Sequence, residues 1–323
     1  HIAGLLGVDP AGIIYTSGAS ESNNLAIKGI AQASRNTGRH MISTVLEHAS
    51  VGGTLTALQQ QGREVDLLDI QRDGTIDLEQ LGDLLRKDTI LVSVCAVDSE
   101  LGTVQPIRKI TEILKDFPNC RLHVDATQAI GKTELVMDGV DTMSIAPHKF
   151  YGLNGSGLLL KKSSLIIEPQ THGGSSTTPY RSGTPALALA VSIEKALQLT
   201  LTQQEERIRY VRQLNEYLKT ALLHYPAVRI NSPEGAVPHI LNLSVQGLKG
   251  TVFQRVLSER GVCVSVKSAC SAEGTPSKAV FAVSGDRKNA LSSWRVSLSH
   301  LTTREELDEF LQVFDQCYKE LGP

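Results

Sequence analysis

Cysteine is scarce in this chain. There are five in 323 residues, an odd number, with no CxxC or CxxxC pair. That excludes a disulfide framework and a structural zinc site. Cys95, Cys120, Cys263, Cys270 and Cys317 read as reduced thiols in a reducing compartment. An excess of charge is also lacking: 32 basic against 34 acidic residues give a net charge of −2. An electrostatic nucleic-acid binder or membrane-surface protein is therefore not expected. No stretch approaches the roughly 20 apolar residues of a bilayer span. Internal repeats and low-complexity tracts are missing too. The chain opens at His1 without an initiator methionine and shows no signal peptide, which leaves targeting unassigned.

What is present is ordinary globular composition, 41% hydrophobic and 20% charged. The length allows two domains. In the first half, short apolar runs alternate with amphipathic stretches. Candidate strands are 12–16, 40–45, 64–68, 90–97, 121–124, 142–146 and 157–161. Helical patterns fall at 21–34, 49–61, 78–85 and 107–116. Alternation of this kind predicts βαβ units, a mostly parallel seven-stranded sheet sandwiched by helices. Residues 187–201 and 203–223 read as long helices, and the domain boundary is placed near residue 200. The smaller C-terminal α/β domain, 201–323, is expected to hold strands at 228–231, 240–245, 263–266 and 294–298. Helices are expected at 251–260 and at the C-terminus, where Thr303 and Glu306 form a capping box.

Ligands of parallel sheets gather at the carboxyl ends of the strands, and polar clusters recur there. Ser17-Gly18-Ala19-Ser20 lies between a strand and a helix. It suits an anion held on helix N–H groups, or Ser20 as a plain N-cap. Asp125 ends a buried-looking strand, so it either caps the next element or pairs with a cation. Lys149, beside His148 and ahead of Gly152, Gly155 and Gly157, is either a solvated surface lysine or a desolvated amine that condenses with a carbonyl. Cys270 sits in a polar, small-residue loop, and is either an unreactive small thiol or a reactive one whose thiolate Lys267 would favour. Arg295, inside a strand, is a fork for a carboxylate or one half of a sheet-face ion pair.

In order along the chain, Tyr15 to Ala26, Glu47-His48, His123 to Gln128, His148 to Gly152, His172 to Gly174, Arg181 to Thr184, Ser268 to Cys270 and Arg295 with Ser297-Leu298 resemble the motifs of NifS/IscS-type cysteine desulfurases. These belong to the class V aminotransferase branch of fold-type I enzymes that use pyridoxal 5′-phosphate (PLP). The resemblance implies that residues 1–200 bind PLP, that Lys149 links covalently to it, and that Asp125 pairs with its ring nitrogen. His48 would stack on the ring and Gln128 bond its oxygen. Ala19, Ser20 and His148 would contact the phosphate. Thr184 would contact the phosphate of a second subunit, which implies a homodimer. Ser99 falls at a position that contacts both cofactor and substrate. Arg295 would clamp the substrate carboxylate, and Cys270 would take sulfur from L-cysteine as a persulfide. No metal is implied. The implied setting is cytoplasmic, with sulfur passed to an acceptor protein such as an iron–sulfur scaffold or a tRNA-thiolation enzyme. No direct contact with nucleic acid or membrane is implied.

Departures from the family pattern stand beside this match. Roughly 50 residues that usually precede the position of His1 are not in the sequence. Ser99 stands for the usual Asn, Ala146 for a phosphate-binding Ser, Pro147 for a small residue and Lys267 for Gly. Leu153-Asn154 and Ser175-Ser176 differ as well. Two alternatives follow: a selenocysteine lyase using the same residues, or a non-catalytic paralogue that binds partners in sulfur trafficking.

Overall fold

The first unit is built on β1 (Ile13–Thr16), β2 (His40–Thr44), β3 (Glu64–Leu68), β4 (Thr89–Cys95), β5 (Arg121–Asp125), β6 (Thr142–Ile145) and β7 (Gly157–Lys161). Interspersed are α1 (Ile2–Leu6), α2 (Ala19–Ala33), α3 (Ala49–Gln59), α4 (Leu78–Leu84), α5 (Ile107–Leu114) and α6 (Leu187–Thr202). In a computed structural model, which describes residues 1–267 and 274–323, these strands form one sheet in the order β1-β7-β6-β5-β4-β2-β3. Strands β3, β2, β4, β5 and β6 run parallel, whereas β7 is antiparallel to both β6 and β1. This is the expected mostly parallel α/β sheet.

Sequence explains the burial. Strands β2, β4 and β7 are buried at every position, as strands are when helices cover both sheet faces. Helix α2 turns Leu25, Ala26, Ile27, Ile30 and Ala31 into a cluster with Ile14, Met41, Val51 and Leu55. In α5 the buried residues Ile107, Ile110 and Leu114 recur at helical spacing. Because β4, β5 and β6 are parallel and Cys95, Asp125 and Ser144 lie in register across them, their carboxyl ends share one edge.

The second unit contains α7 (Gln204–Leu222), β8 (Val228–Ile230), β9 (Ile240–Val245), α8 (Gly250–Glu259), α9 (Lys278–Ser284), α10 (Arg287–Ser292), β10 (Ser293–Ser297) and α11 (Arg304–Leu321). Its three strands are antiparallel in the order β10-β9-β8. Trp294 is fully buried and stacks on Phe253 at 5.4 Å between ring centroids, with Phe310 and Phe314 around it. The capping box at Thr303 and Glu306 is present.

Chain contacts divide the molecule into His1–Asp69, Ile76–Val97 and Gln105–Gln203, and Ile70–Thr75, Asp98–Val104 and Gln204–Pro323. The boundary expected near residue 200 places 70–75 and 98–104 with the first domain. Residues 98–104 join the second through hydrogen bonds. Asn242 Nδ2 donates to the Glu100 carbonyl, Ser232 Oγ to that of Leu101, and the Val237 N–H to that of Gly102.

Two further expectations are corrected. Residues 263–266 do not form a strand; only Ser265 pairs, exchanging two backbone bonds with Arg295. One bonded pair does not propagate a ladder. The stretch read as loop before β10 contains α9 and α10. Their caps are Ser277, which accepts from the Val280 N–H, and Asp286, which accepts from Lys288 and Asn289. Among the described residues, no helix is long and apolar enough to cross a membrane.

Candidate active site

Asp125 is the last residue of β5 and is 5% exposed. No helix follows it. Instead Oδ1 accepts the Thr127 N–H at 2.9 Å, a turn bond. Oδ2 accepts from Asn23 Nδ2 at 2.8 Å. Among the described residues, Asp125 makes no ion pair. A buried carboxylate held only by neutral donors is a site for a cationic partner.

Behind Asp125 lies a buried polar network. His123 and Asp125 are two apart on one strand and so face the same side. His123 Nε2 lies 3.0 Å from Asn23 Oδ1, and its Nδ1 lies 2.9 Å from Thr142 Oγ1. Burial pulls the His123 imidazole down to about 4, so it is neutral at physiological pH. Asn23 also donates to Ser50 Oγ at 2.9 Å. His48 caps α3: its Nδ1 accepts the Ser50 N–H and lies 2.8 Å from Ser50 Oγ.

Glu47, next to His48, has a buried carboxyl. Oε1 accepts from Thr44 Oγ1 at 2.9 Å and from the Cys95 N–H at 2.8 Å. Among the described residues Oε2 has no partner. Desolvation, with the negative charge of Asp125 adding to it, pushes this carboxyl up to about 8. It is therefore protonated at neutral pH.

Lys149 ends a short 3-10 turn just past β6, five residues beyond Ser144, the register partner of Asp125. Pro147 and Phe150 are buried on either side while His148 and Lys149 are exposed. Two anchors thus present one amine. Tyr151 follows with φ 71, left-handed backbone in a non-glycine residue. At Gly152 a Cβ would meet Pro147 Cβ at 2.6 Å, so the turn needs glycine there. Partial burial, then the Lys149 charge, lowers the His148 imidazole.

Helix α2 begins at Ala19, which corrects the reading of Ser20 as N-cap. The cap is Gly18, and no described side chain accepts its first-turn N–H groups. Ala19 is half-buried and Ser20 exposed. The Glu21 carboxylate takes the Ser17 N–H and Arg181 Nε instead, and the net effect of the Arg181 and Ser17 bonds over burial is a lowered carboxyl. Gly157 packs so closely on this turn that a Cβ would lie 2.6 Å from the Gly18 backbone. Gln128 is half-buried and accepts from Lys132 Nζ. Thr184 is exposed.

In the second unit, Arg295 Nη1 donates to the Ser99 carbonyl, and among the described residues the buried Nε has no partner. Desolvation lowers the guanidinium pKa, while Glu100 and Asp98 oppose that shift. Asp98 closes the turn that carries Ser99, accepting the N–H groups of Glu100 and Leu101. Burial pushes its carboxyl up to about 7. Lys267 Nζ donates to the Thr275 carbonyl and Oγ1. Cys270 lies outside the described residues. Among those described, no cluster of His, Cys, Asp or Glu could hold a metal.

The sequence pattern expects His48, Asp125, Gln128, His148 and Lys149 at strand carboxyl ends. It gives Asn23, Ser50, His123 and Glu47 no role, although His123 carries a signal in its two-residue spacing from Asp125. The first unit's residues fit PLP on physical grounds. They offer a buried carboxylate that needs a cation, a helix start that no described side chain caps, and an amine at the same sheet edge.

A model of the family described as aminotransferase class-V matches residues 1–310. The NifS/IcsS protein homolog of Lactobacillus delbrueckii subsp. bulgaricus is 39% identical over 325 residues, covering 99% of this chain and 84% of the relative. Cysteine desulfurase IscS of Salmonella newport is 38% identical over 328 residues, covering 100% and 80%. A solved structure of a NifS-like protein superposes with a TM-score of 0.93 at 31% identity, covering 99% of this chain and 86% of that one. The chain therefore belongs to the class-V aminotransferase family of PLP-dependent enzymes, together with the NifS/IscS-type cysteine desulfurases.

Proposed function

We propose that this protein is a PLP-dependent cysteine desulfurase that converts L-cysteine to L-alanine and takes the sulfur onto Cys270. The observation that carries this reading is Asp125, a buried carboxylate at the sheet's carboxyl edge whose described partners are all neutral donors. Bound PLP supplies an electron sink for bond breaking at the substrate carbon. Lys149 would hold the cofactor through its amine and, when free, would move protons. Asp125 would pair with the ring nitrogen. His48 would lie against the ring, and Gln128 would donate toward the ring oxygen. The α2 N–H groups at Ala19 and Ser20, together with His148, would receive the phosphate.

Ser99 orients the substrate, and Arg295 takes its carboxylate on the Nε edge, the Nη1 side being occupied by the Ser99 carbonyl. The Cys270 thiolate attacks the substrate sulfur. An S–S bond forms and the substrate C–S bond breaks, leaving its electron pair on carbon, which a proton then quenches. L-cysteine and the Cys270 thiol become L-alanine and the Cys270 persulfide, with no external oxidant or reductant.

The protein acts as a cytoplasmic homodimer in which Thr184 contacts the partner's phosphate. Exposure of Thr184, and of the apolar Leu187 and Val191 on the first turns of α6, supports a covered surface there. Sulfur then leaves the persulfide for an acceptor protein, an iron–sulfur scaffold or a tRNA-thiolation enzyme. The deciding experiment is an absorbance spectrum of the purified protein before and after L-cysteine, with alanine and sulfide measured. We expect a lysine-bound PLP band lost in Lys149→Ala, and product lost in Cys270→Ser. Protein that binds no PLP overturns the reading.

A further inference from the structure

Asn23 lies at the centre of the buried network, 0% exposed, with every polar atom of its amide engaged. The orientation of that amide follows from its partners. Asp125 Oδ2 accepts, so the atom 2.8 Å away is the amide nitrogen. Its second N–H goes to Ser50 Oγ. The amide oxygen can only accept, so His123 carries its proton on Nε2, and His123 Nδ1 accepts from the Thr142 hydroxyl. At the other end His48 Nδ1 accepts the Ser50 N–H, so it is the bare ring nitrogen, and the Ser50 hydroxyl donates to it as well. One directed chain of donors thus runs from Thr142 through His123 to Asn23. There it divides between Asp125 and, by way of Ser50, His48.

We infer that Asn23 is the positioning residue of the cofactor site, a single buried amide that sets both the rotamer of the Asp125 carboxylate and, through the Ser50 hydroxyl, the tilt of the His48 ring. The inference rests on the roles proposed above for Asp125 and His48. It assigns Asn23 no contact with substrate or cofactor. Its physical content is that the carboxylate is oriented by a neutral donor. A cationic side chain in place of Asn23 would neutralise Asp125 and compete with the ring nitrogen. An apolar one would leave Asp125, His123 and Ser50 all short of a partner in a buried site. Neutrality of His123 serves the same end, since an imidazolium there would place a positive charge one amide away from Asp125.

The test compares the full-length parent, Asn23→Ala and a stability control, Leu55→Ala in the α3 core. We expect Asn23→Ala to weaken PLP binding by about ten-fold or more. We also expect it to move the pH at which the lysine-bound PLP band changes, whereas Leu55→Ala lowers the melting temperature and leaves both unchanged. A folded Asn23→Ala protein with parental PLP affinity and band profile overturns the inference. So does a Leu55→Ala protein that shifts both readouts equally. If Asn23→Ala does not fold, nitrogen NMR of histidine-labelled parent protein decides. His123 and His48 should both carry the proton on Nε2, with His123 not titrating between pH 5 and 8. A proton on Nδ1 of either ring overturns the inference. A parent protein that binds no PLP defeats the underlying reading instead, while parental PLP binding with an indifferent Asn23→Ala defeats only this step.

Discussion

Arg295 donates through Nη1 to the backbone carbonyl of Ser99, a residue 196 positions earlier in the chain. That bond restrains the guanidinium and leaves its buried Nε edge without a described partner. A lysine at 295 would keep the charge but lose the planar fork. Arg295→Lys is expected to raise the KM for L-cysteine about ten-fold or more, with the PLP spectrum unchanged. Steady-state kinetics with an absorbance scan check this, and an unaltered KM would remove Arg295 from the carboxylate role.

Glu47 predicts a pH dependence of stability. Its folded carboxyl titrates near 8, against an ordinary value of 4.5. The unfolded chain ionises above about 4.5, while the native carboxyl stays protonated up to about 8. Its contribution is thus fully present below the unfolded value and is lost as pH rises towards the folded one. Glu47→Gln keeps the neutral shape and removes the titration. The parent should lose on the order of a few kcal/mol relative to this variant between pH 5 and 8.5. Urea melts at those two pH values measure it. Parallel losses in both proteins would show that Glu47 is ionised in the native state.

Gly157→Ala should damage the α2 start proposed to take the phosphate. The added methyl meets Gly18 backbone at 2.6 Å, and backbone at a helix start cannot rotate away. A loss of about 1–3 kcal/mol in stability is expected, with weaker PLP binding. Thermal melts and PLP titration test this. A variant with parental values in both would mean that β7 and the α2 start separate freely.

Asp98→Ala removes the acceptor for the Glu100 and Leu101 N–H groups and so loosens the turn that carries the Ser99 carbonyl. The expected result is a higher KM for L-cysteine, in the same direction as Arg295→Lys. In the Asp98→Ala, Arg295→Lys pair the two effects should add to less than their sum, because both act on one contact. Full additivity would show that the turn and the arginine act separately.

Much of the sheet was legible in the residues. Glu64–Leu68, Gly157–Lys161 and Ile240–Val245 were delimited as strands by apolar runs between turn residues, and the structure has them with the same bounds. The helices α9 and α10 were missed although Ser277 and Asp286 are ordinary caps. At seven and six residues they are too short for periodicity to show. Residues 263–266 have strand-like composition, but pairing was available only at Ser265.

From its residues alone, the chain specifies where backbone becomes strand or helix, and which strand ends bear carboxylate, imidazole and amine. Those outcomes follow from short-range period, caps and turn chemistry. Asn23 and Asp125 are 102 residues apart, and neither segment contains any trace of the other. Which polar groups meet, which imidazole loses its proton and which carboxyl keeps one were decided by folding. Desolvation and hydrogen-bond geometry exist only once distant strands and helices have been brought together.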